Sequence, residues 1–428
     1  MAPRSASAVP VAGIGSMPET EGRRARSPRL AGKHAAMVVF SPYPADPRPR
    51  RAAEALVQEG MSVDLISEGW ENLPKRDRLG DLDITRIPIR RYRGGLLSYA
   101  LQYGSFITLS AASLAWRMLR KRYDLVYIHN MPDILVISAL LPKLFGAKVI
   151  MDQHDPMPEL MMTIFGKDKR NPAVRLLRCL EKWSFARADL VITVNEACRR
   201  IFSARSCPAE KIAVIMNSPD ENVFPWRGAT SYALPPSGAP FIMMYHGSLF
   251  ERNGLGLAVD AFAQMVKAVP NSELRVYGRS TPYLEEVMHK VKTLGLEGHV
   301  HYFGVKKWED LAREIGKCDV GVIPNQRNLF TDINTPTRIF EYLAVGKPVI
   351  APSTEGIKDY FENDSLVFFE SGNAADLARA MMFVALHPVE DQEIAERGQR
   401  VYVKHSWSAE KEALISLVEA LVENQSAG

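Results

Sequence analysis

Two series of short apolar runs constrain the fold of this chain more than any other feature of its sequence. The first series comprises MVVFS (37–41), SVDLIS (62–67), DLVYIH (124–129), AKVIMD (147–152), ADLVITV (188–194) and IAVIMN (212–217). The second comprises FIMMYHG (241–247), ELRVYG (273–278), HVHYFG (299–304), DVGVIP (319–324), KPVIAP (347–352) and SLVFF (365–369). Continuous Val, Ile and Leu runs that alternate with helix-length stretches are typical of parallel sheets covered on both faces. The pattern therefore predicts two tandem α/β domains.

The segment between the two series predicts where the chain divides. Residues 218–240 are rich in Pro, Gly and Ser and are typical of an interdomain linker. We therefore predict two Rossmann-like, doubly wound parallel-sheet domains, at residues 36–217 and 241–404. Residues 405–428 keep apolar side chains at helical spacing, so they predict a helix packed on a surface already formed. Residues 1–35 lack an apolar period and predict a disordered basic tail.

Charge and cysteine usage narrow the class of protein. A net charge of +4 does not demand a nucleic-acid partner. Basic side chains nevertheless cluster in the first third of the chain, at Arg48, Arg50, Arg51, Arg86, Arg90, Arg91, Arg93, Arg117, Arg120, Lys121 and Arg122. Two interpretations stay open: contact with an anionic surface such as a membrane, or an ordinary solvated rim. The four scattered cysteines lack the spacing of a metal site or disulfide framework and favour reduced thiols in a cytoplasmic protein.

The apolar segment at residues 96–119 is long enough to be compared with a transmembrane helix. Gln102, Gly104 and five Ser or Thr residues dilute its hydrophobicity. A basic run followed directly by a strand favours a helix packed on a sheet. A helix lying at a membrane surface, with its basic end toward anionic headgroups, remains the alternative.

The most informative stretch runs from residue 331 to residue 351, TDINTPTRIFEYLAVGKPVIA. Asn334, Thr335 and Pro336 are helix-opening residues, so a helix is expected to begin there at the edge of the second sheet. The free amides and partial positive charge of a helix start suit a diphosphate, to which Arg338 adds a charged donor. Glu341, one turn further on, can accept hydrogen bonds from ribose hydroxyls. The alternative for Glu341 is an ordinary exposed helix glutamate.

Several stretches together carry a family resemblance. TPTRIFEYLAVGKPVIA resembles the donor-site helix of the retaining family 4 glycosyltransferases of the GT-B fold. The family's surface and exopolysaccharide branch is resembled by YPADPRPRRAAEAL (43–56), HNMPD (129–133), DQHDPMPEL (152–160) and YHGSLFERNGLGLAVDAF (245–262). The resemblance implies two domains facing across a cleft, with the C-terminal helix returning toward the N-terminal domain. It also implies transfer, with retention, from a nucleotide diphosphate sugar to a glycan or polyprenyl-linked acceptor, without a metal or other cofactor.

The resemblance implies donor-side roles for particular residues. The implied donor-binding residues are Gly247, Arg252, Arg279, Val305, Lys306, Asn334, Thr335, Pro336, Thr337, Arg338 and Glu341. Among them Arg252 is expected to face the diphosphate, although its neighbour Asn253 stands where Lys is commoner. One position departs from the family pattern: Ile333 replaces a glutamate that contacts the donor sugar, which leaves sugar identity open, and Asp332 is a candidate substitute.

The first domain supplies the candidate residues on the acceptor side. His129 ends the run DLVYIH, and pockets in open parallel sheets form at the carboxyl ends of strands. The resemblance implies that His129 lies against the transferred sugar, which makes His129, Arg252 and Glu341 the catalytic candidates. Asp133, His154, Asp155 and Glu159 are expected to line the same cleft.

Rival functions find less support in the sequence. Asp81 and Asp83 match the D-x-D motif of metal-dependent transferases, but they lie in a predicted polar loop far from the donor helix. A nicotinamide dehydrogenase requires G-x-G-x-x-G after a strand, and the near matches at residues 13–18 and 254–259 lack the third glycine. A nucleotide-sugar epimerase of the same architecture and a non-catalytic nucleotide-sugar-binding homologue stay open.

Overall fold

A computed structural model describes residues 27–69, 73–89, 96–228 and 238–423. The first domain contains β1 (His34–Pro42), α1 (Pro47–Gln58), β2 (Ser62–Glu68), β3 (Arg76–Leu79), β4 (Leu82–Ile87), α2 (Leu96–Met118), β5 (Leu125–His129), a 3-10 helix (Asp133–Ala139), α3 (Leu140–Leu144), β6 (Lys148–Gln153), α4 (Met157–Phe165), α5 (Pro172–Arg187), β7 (Leu190–Thr193), α6 (Glu196–Arg205) and β8 (Ile212–Val214). Its eight strands form one sheet in the order β3-β4-β2-β1-β5-β6-β7-β8. Every pairing is parallel except that between β3 and β4.

The second domain repeats the same architecture. It contains β9 (Phe241–His246), α7 (Leu255–Met265), β10 (Ser272–Tyr277), α8 (Pro282–Thr293), β11 (Val300–Tyr302), α9 (Trp308–Lys317), β12 (Val320–Val322), α10 (Thr337–Ala344), β13 (Val349–Pro352), α11 (Glu355–Lys358), β14 (Val367–Phe369), α12 (Ala374–Leu386) and α13 (Pro388–Lys404). The last helix, α14 (Trp407–Glu423), follows the second domain. The six strands of the second domain are all parallel, in the order β11-β10-β9-β12-β13-β14. The predicted pair of doubly wound sheets is confirmed.

Each predicted apolar run contains a strand, but the hairpin of β3 and β4 was not predicted. β3 has the sequence RDRL, half exposed, and offers no apolar run to detect. Asp81 therefore lies in the hairpin turn, as the predicted polar loop requires, whereas Asp83 lies in β4, so the prediction was wrong for Asp83. They stand at the far edge of the first sheet, away from β5 and β6.

Helices cover both faces of the first sheet, and one of them comes from the end of the chain. The apolar side chains of α2, α5 and α6 form a core on one face. Those of α1 form a second core on the other face, where Leu414 and Val418 of α14 join them. The predicted return of the C-terminal helix to the N-terminal domain is thus confirmed. Residues 27–33, predicted to be disordered, differ from the prediction: Leu30 is buried and Arg29 pairs with Glu412 and Glu419 of α14.

The chain crosses between the domains twice, at residues 215–228 and at residues 404–407. The two crossings are tied together: Glu410 accepts a hydrogen bond from the Met216 amide at 2.7 Å, and the Ser218 hydroxyl donates to the His405 carbonyl. Residues 229–237 of the predicted linker, like residues 1–26 of the predicted tail, lie outside the described residues. The two domains are therefore connected by two adjacent backbone segments, which is the geometry of a hinge.

Three arginines of the basic cluster in the first third of the chain are internal, whereas Arg120 and Arg122 are exposed. Arg48, Arg51 and Arg86 are 8%, 5% and 3% exposed, and Arg117 and Lys121 at the end of α2 both pair with buried Asp64. Arg90, Arg91 and Arg93 lie outside the described residues. The interpretation of the described arginines as an anionic-surface patch was therefore wrong for Arg48, Arg51 and Arg86. Among the helices described, α2 included, none combines the length and apolar character needed to cross a membrane.

Candidate active site

A glycine follows the carboxyl end of each of the strands β9, β10 and β11. Gly247, Gly278 and Gly304 follow directly or within two residues of these strand ends. A side chain at Gly278 would place its Cβ 2.2 Å from the Gly247 carbonyl oxygen, so only glycine fits there. Main-chain atoms therefore form the surface at this edge of the sheet. A ligand that binds close to the backbone requires such a surface.

Arg338, in the first turn of α10, braces this edge. Its guanidinium donates to the His246 carbonyl at 2.7 Å and to the side-chain oxygen of Asn325 at 3.0 Å. It also lies 5.0 Å from the centre of the Tyr245 ring. Pro336 precedes α10 without a side-chain cap, so the first amides of the helix have no capping oxygen from that residue. Arg338 thus fixes the helix start and adds positive charge beside it.

Glu341 lies one turn into α10 and carries an unpaired oxygen. Its side chain is 8% exposed, with Oε2 3.3 Å from Nε2 of His246. Neither of these two atoms has a hydrogen-bond partner among the described residues. Burial raises the pKa of Glu341 to about 7, against the opposing charges of Arg338 and Arg51, and burial lowers the pKa of His246 well below its usual value. The interpretation of Glu341 as an exposed helix glutamate is therefore wrong.

Arg252 reaches the cleft from the loop after β9. The next residue but one, Gly254, has φ of 76°, and a Cβ there would lie 1.7 Å from the Pro324 carbonyl. The Asn253 amide donates back to the Ser248 carbonyl at 2.7 Å, so Asn253 is held within its own loop. The positive charge of Arg252 instead acts on Asp155 of the first domain, where it opposes the rise in pKa that burial causes. The geometry favours Arg252 over Asn253 as the basic contact.

The segment that precedes α10, residues 332–336, is hydrogen-bonded to the first domain through Ile333 and Thr335. Asn195, which caps α6 by accepting from the Cys198 amide at 2.8 Å, donates to the Ile333 carbonyl at 2.9 Å and to Thr335 Oγ1 at 3.2 Å. The Ile333 side chain is 8% exposed and joins the apolar core that contains α5 and α6. Ile333 is thus an interdomain packing residue, which explains why the glutamate of the family pattern is missing there.

The remaining predicted donor residues lie at the same edge with fewer contacts. Arg279 is exposed after β10, and Val305 and Lys306 are exposed after β11. Asn334 and Thr337 are partly exposed, whereas Pro336 is buried. Asp332, the candidate substitute for the missing glutamate, has one buried oxygen without a described partner and the other 3.4 Å from Arg327.

His129 ends β5 as predicted, but its side chain has no exposed surface. Its Nδ1 lies 3.0 Å from Nε2 of His154, the next residue to project toward the cleft, and 3.5 Å from Oδ2 of Asp152. Burial lowers the pKa of His129 to about 3 and that of His154 to about 4, so both rings are neutral near pH 7. His129 therefore reaches the cleft through His154, whose side chain is 20% exposed.

Arg48 of α1 binds Asp152, whose carboxylate lies beside His129 and His154. It donates to both carboxylate oxygens of Asp152, at 2.7 and 2.9 Å to one and 3.1 Å to the other, and its third nitrogen donates to the Ile215 carbonyl. Although burial opposes ionisation, Arg48 holds the pKa of Asp152 at about 2. The charge pair is complete within the first domain and fixes the end of β6.

His129, Asp152 and His154 are also the one described group whose side-chain ligand atoms lie within 4.8 Å of one another, as a metal site would require. The donor set does not fit a metal well. Asp152 already accepts from Arg48 and from the Tyr127 hydroxyl at 3.0 Å, and a guanidinium against the carboxylate repels a cation.

Asp133 and Asp155, two of the residues predicted for the acceptor side, lie close together after β5 and β6. The Asn130 amide joins them, donating to the Asp155 carbonyl at 3.0 Å and to Asp133 Oδ1 at 3.4 Å. Burial raises the pKa of Asp133 to about 7 and that of Asp155 to about 6. Asp133 is buried, whereas Asp155 is partly exposed and faces Arg252, so Asp155 is the carboxyl group of this edge that a ligand can reach.

Glu159 does not line the cleft. It is 7% exposed, and both of its oxygens accept from Arg205, at 2.6 and 2.9 Å. Arg205 is shared with buried Glu181. The prediction of Glu159 as an acceptor-side residue was therefore wrong, because its charge is used to join α4 to α5 and α6.

Three residues that position the site were not predicted as such. Asn195 and Asn325 each directly follow an apolar run. An asparagine at the end of a predicted strand was therefore a signal from which both site residues could have been found. Arg51 stands in the same motif as Arg48, donates to the Ser218 carbonyl and is attracted by Glu341 across the cleft. Its burial was hidden because a run of arginines suggests an exposed surface.

Comparison with protein families gives two adjoining matches. A family described as "Glycosyl transferase 4-like domain" matches residues 45–218. A second, described as "Glycosyl transferases group 1", matches residues 233–401. The boundary between the two matches falls within the Pro-rich segment between the sheets.

Two curated relatives show how far the likeness extends. The putative colanic acid biosynthesis glycosyltransferase WcaL of Escherichia coli (strain K12) is 25% identical over 242 residues, which cover 55% of this chain and 58% of WcaL. The chitobiosyldiphosphodolichol beta-mannosyltransferase of Kluyveromyces lactis is 22% identical over 415 residues, which cover 89% of this chain and 88% of that protein. The chain therefore spans little more than half of one relative and most of the other.

Solved structures share the fold at low identity. Sucrose-phosphate synthase from Thermosynechococcus elongatus superimposes with a TM-score of 0.73 at 18% identity, covering 92% of this chain and all of that one. HepE from Anabaena, solved in complex with UDP and glucose, gives a TM-score of 0.64 at 17% identity, covering 91% of this chain and all of that one. The two-domain arrangement is common to all three proteins.

Proposed function

Because this chain belongs to the GT-B glycosyltransferases, with a family 4-like first domain and a group 1 second domain, we propose that it transfers a sugar from a nucleoside diphosphate donor to a glycan or lipid-linked acceptor. One observation carries the proposal. Glu341, one turn into α10, is buried with an oxygen that lacks a described partner, and Arg51 of the first domain as well as Arg338 of the second acts on its carboxylate. Ribose hydroxyls supply the missing donors.

The donor is held through its diphosphate. The uncapped first amides of α10 bind the phosphate oxygens, and Arg252 approaches them from the loop after β9. Glycine at 247 and 278 allows the backbone after β9 and β10 and the Arg338 side chain to pack closely together beside the start of α10. Residues 305–306 hold the base at the end of β11. HepE, which shares the fold, was solved with UDP and glucose bound, and this supports a nucleotide in the corresponding cleft.

Catalysis then rests on stabilising the leaving diphosphate. As the anomeric carbon gains positive character, negative charge grows on the diphosphate, and donors fixed in advance stabilise it without reorganisation. Removing Arg252 is expected to cost about 3 kcal/mol of transition-state stabilisation, on the order of a hundredfold in turnover. Closure of the two domains excludes water and so suppresses hydrolysis of the donor.

The acceptor enters beside His154 and Asp155. His129 orients His154 through the hydrogen bond between the two rings, and Asn130 fixes the loop that carries both cleft residues. We propose a metal-independent reaction with retention, since the guanidinium of Arg48 occupies Asp152 and no double displacement is supported by a carboxylate pair in the described cleft.

Activity and donor class are tested together. A thermal-shift screen with UDP-, GDP-, ADP- and dTDP-sugars should raise the melting temperature for one base class. With that donor and a membrane extract as acceptor source, mass spectrometry should find free nucleoside diphosphate and a heavier acceptor. An isomerised donor would identify an epimerase instead, and donor binding without turnover would identify a non-catalytic homologue.

The stereochemical part of the proposal has a separate test. Proton NMR of the product from an α-linked donor should show an α-linked sugar. A β-linked product would contradict retention and would assign Asp155, whose pKa is raised to about 6, as the base of an inverting reaction. The name of the Kluyveromyces lactis relative, a beta-mannosyltransferase, makes this the most informative product analysis.

A further inference from the structure

The connection between α4 and α5 exposes apolar and basic side chains side by side. Residues 164–170, IFGKDKR, are all exposed, and Ile164 and Phe165 are 51% and 62% exposed. Leu176, one turn into α5, is 59% exposed. Large apolar side chains at this exposure on a loop and two helix ends are unusual, and as a group they mark a surface that contacts something other than water.

The same segment concentrates positive charge. Residues 164–179 contain five basic residues, Lys167, Lys169, Arg170, Arg175 and Arg178, and one acidic residue, Asp168, giving +4. That equals the net charge of the whole 428-residue chain. Lys169, Arg170, Arg175 and Arg178 line one open depression of about 430 Å³. The side chain of Asp168 is engaged locally, accepting from the Arg170 and Asn171 amides at 2.9 Å, so it caps the turn.

From these observations we infer that the α4–α5 segment, residues 164–179, docks on a membrane surface that contains anionic lipids. Ile164, Phe165 and Leu176 enter the boundary between headgroups and acyl chains, while the basic depression contacts headgroup phosphates. Apolar insertion combined with basic residues is the chemistry of peripheral membrane binding. A second copy of the chain is a poor occupant, because two surfaces of +4 charge would repel each other.

The exposed apolar residues of α2 and α3 do not offer the same combination. Leu119 and Leu144 are more exposed, but three of the five basic side chains near them are paired, and only Arg120 and Arg122 have no ion pair with another described residue. Arg117 and Lys121 pair with Asp64, and Lys143 pairs with Asp189. The positive charge needed to attract anionic headgroups is therefore available at the α4–α5 segment.

The position of the segment connects it with the candidate active site. This step rests on the proposed function. α4 begins two residues after Asp155 and ends at Phe165, so the exposed apolar tip lies roughly 13 Å along the helix from the acceptor side of the cleft. A membrane docked at residues 164–179 would bring a lipid-linked acceptor to His154 and Asp155 without leaving the bilayer surface.

Vesicle flotation with the full-length protein tests the inference. The wild type should float with vesicles of phosphatidylcholine containing 30% phosphatidylglycerol, and much less with phosphatidylcholine alone or at high salt. The charge variant Lys167→Glu/Lys169→Glu/Arg170→Glu should bind anionic vesicles about a hundredfold more weakly, since each basic residue contributes about fivefold. The apolar variant Ile164→Ser/Phe165→Ser should bind about tenfold or more weakly.

Matched controls separate local from general effects. Lys267→Glu/Lys292→Glu/Lys404→Glu makes the same charge change on exposed positions of the second domain, and Leu386→Ser/Val389→Ser removes equally exposed apolar groups there. Both controls should bind as the wild type does. Equal loss in the controls, or no loss in the segment variants, would overturn the inference, as would wild-type protein that ignores anionic vesicles.

The outcome is independent of the proposed function, because flotation needs no donor. All variants should keep the wild-type thermal shift with the donor sugar, which also shows that they fold. A protein that binds donor but no vesicles removes the membrane inference alone, and a protein that floats but binds no donor removes the proposed function alone. Dimers that form in the wild type and vanish in the segment variants would assign the surface to a second copy.

Discussion

At the scale of single residues, the decisive feature is a pair of buried polar atoms without described partners. Oε2 of Glu341 and Nε2 of His246 lie 3.3 Å apart, and burial disfavours charge on both side chains. An unsatisfied buried polar group costs about 1–3 kcal/mol, so a folded chain keeps one where a ligand completes its hydrogen bonds. The pKa of Glu341, raised to about 7, makes this ligand detectable through protons.

Donor binding should therefore release protons near neutral pH. In the protein without donor, the Glu341 side chain is about half protonated at pH 7. Ribose hydroxyls that donate to its carboxylate favour the ionised form and lower its pKa. We expect release of about half a proton at pH 7 and donor affinity that rises from pH 6 to pH 8. Calorimetry in phosphate and Tris buffers measures this release.

Glu341→Gln is the matched control for that experiment. Glutamine keeps the shape but cannot titrate, so both the proton release and the rise of affinity with pH should disappear. The same release in wild type and variant would assign it to another group, and no release in the wild type would remove Glu341 from the ribose site.

At the scale of elements, the loop after β9 is held in one shape by close packing. Gly254 ends the 3-10 turn that carries Arg252, with positive φ and with the Pro324 carbonyl where a Cβ would lie. The Arg338 side chain fixes the neighbouring start of α10 through His246 and Asn325. The basic group and the helix start are thus positioned by the same strand end.

Gly254→Ala should damage both stability and turnover. The backbone of residue 324 must move away from the new methyl group, and we expect a loss of about 3 kcal/mol or more in the free energy of unfolding. Gly295→Ala is the control, because Gly295 has φ of 68° but nothing within 4 Å of the new Cβ, and it should cost only about 1 kcal/mol. Urea unfolding measures the free energy of unfolding of both variants. Equal losses in the two variants would show that the close contact of residue 254 with the Pro324 carbonyl does not determine the cost.

At the scale of the whole molecule, the two domains meet through the segment that precedes the donor helix. Asn195 of the first domain holds the backbone of Ile333, and Arg200 pairs with Glu355 and Asp359 of the second. The side chain of Ile333 completes the apolar contact. The contact between the domains and the start of α10 are therefore coupled, because Ile333 and Thr335 contact the first domain and directly precede the helix.

This coupling predicts the result of restoring the family's glutamate. Ile333→Glu places a carboxylate in an apolar interdomain contact, at a cost of several kcal/mol, so the domains should separate and turnover should fall tenfold or more. Small-angle X-ray scattering should show a larger radius of gyration, while Ile333→Leu should behave as the wild type does. Higher turnover in the glutamate variant would instead show that this position faces the donor sugar.

The alternation of apolar runs was sufficient to predict the two parallel sheets, because most of their strands are largely buried and have continuous apolar sequences. The hairpin of β3 and β4 escaped prediction because one of its strands is polar and half exposed. Among site residues, Glu341 and Arg252 were proposed from motif position and stay predictions, whereas Glu159 was not assigned correctly. A sequence cannot show that Arg205 neutralises Glu159, or that Arg48 and Arg51 are buried, since those pairings join distant parts of the chain.

We propose that the start of α10 and Glu341 form the donor site between the domains. A crystal structure of the chain with its nucleoside diphosphate bound would show whether they do. We predict phosphate oxygens within hydrogen-bond distance of the Thr337 and Arg338 amides, and ribose hydroxyls within that distance of Glu341. A nucleotide bound elsewhere, with Glu341 still unpaired, would contradict the account.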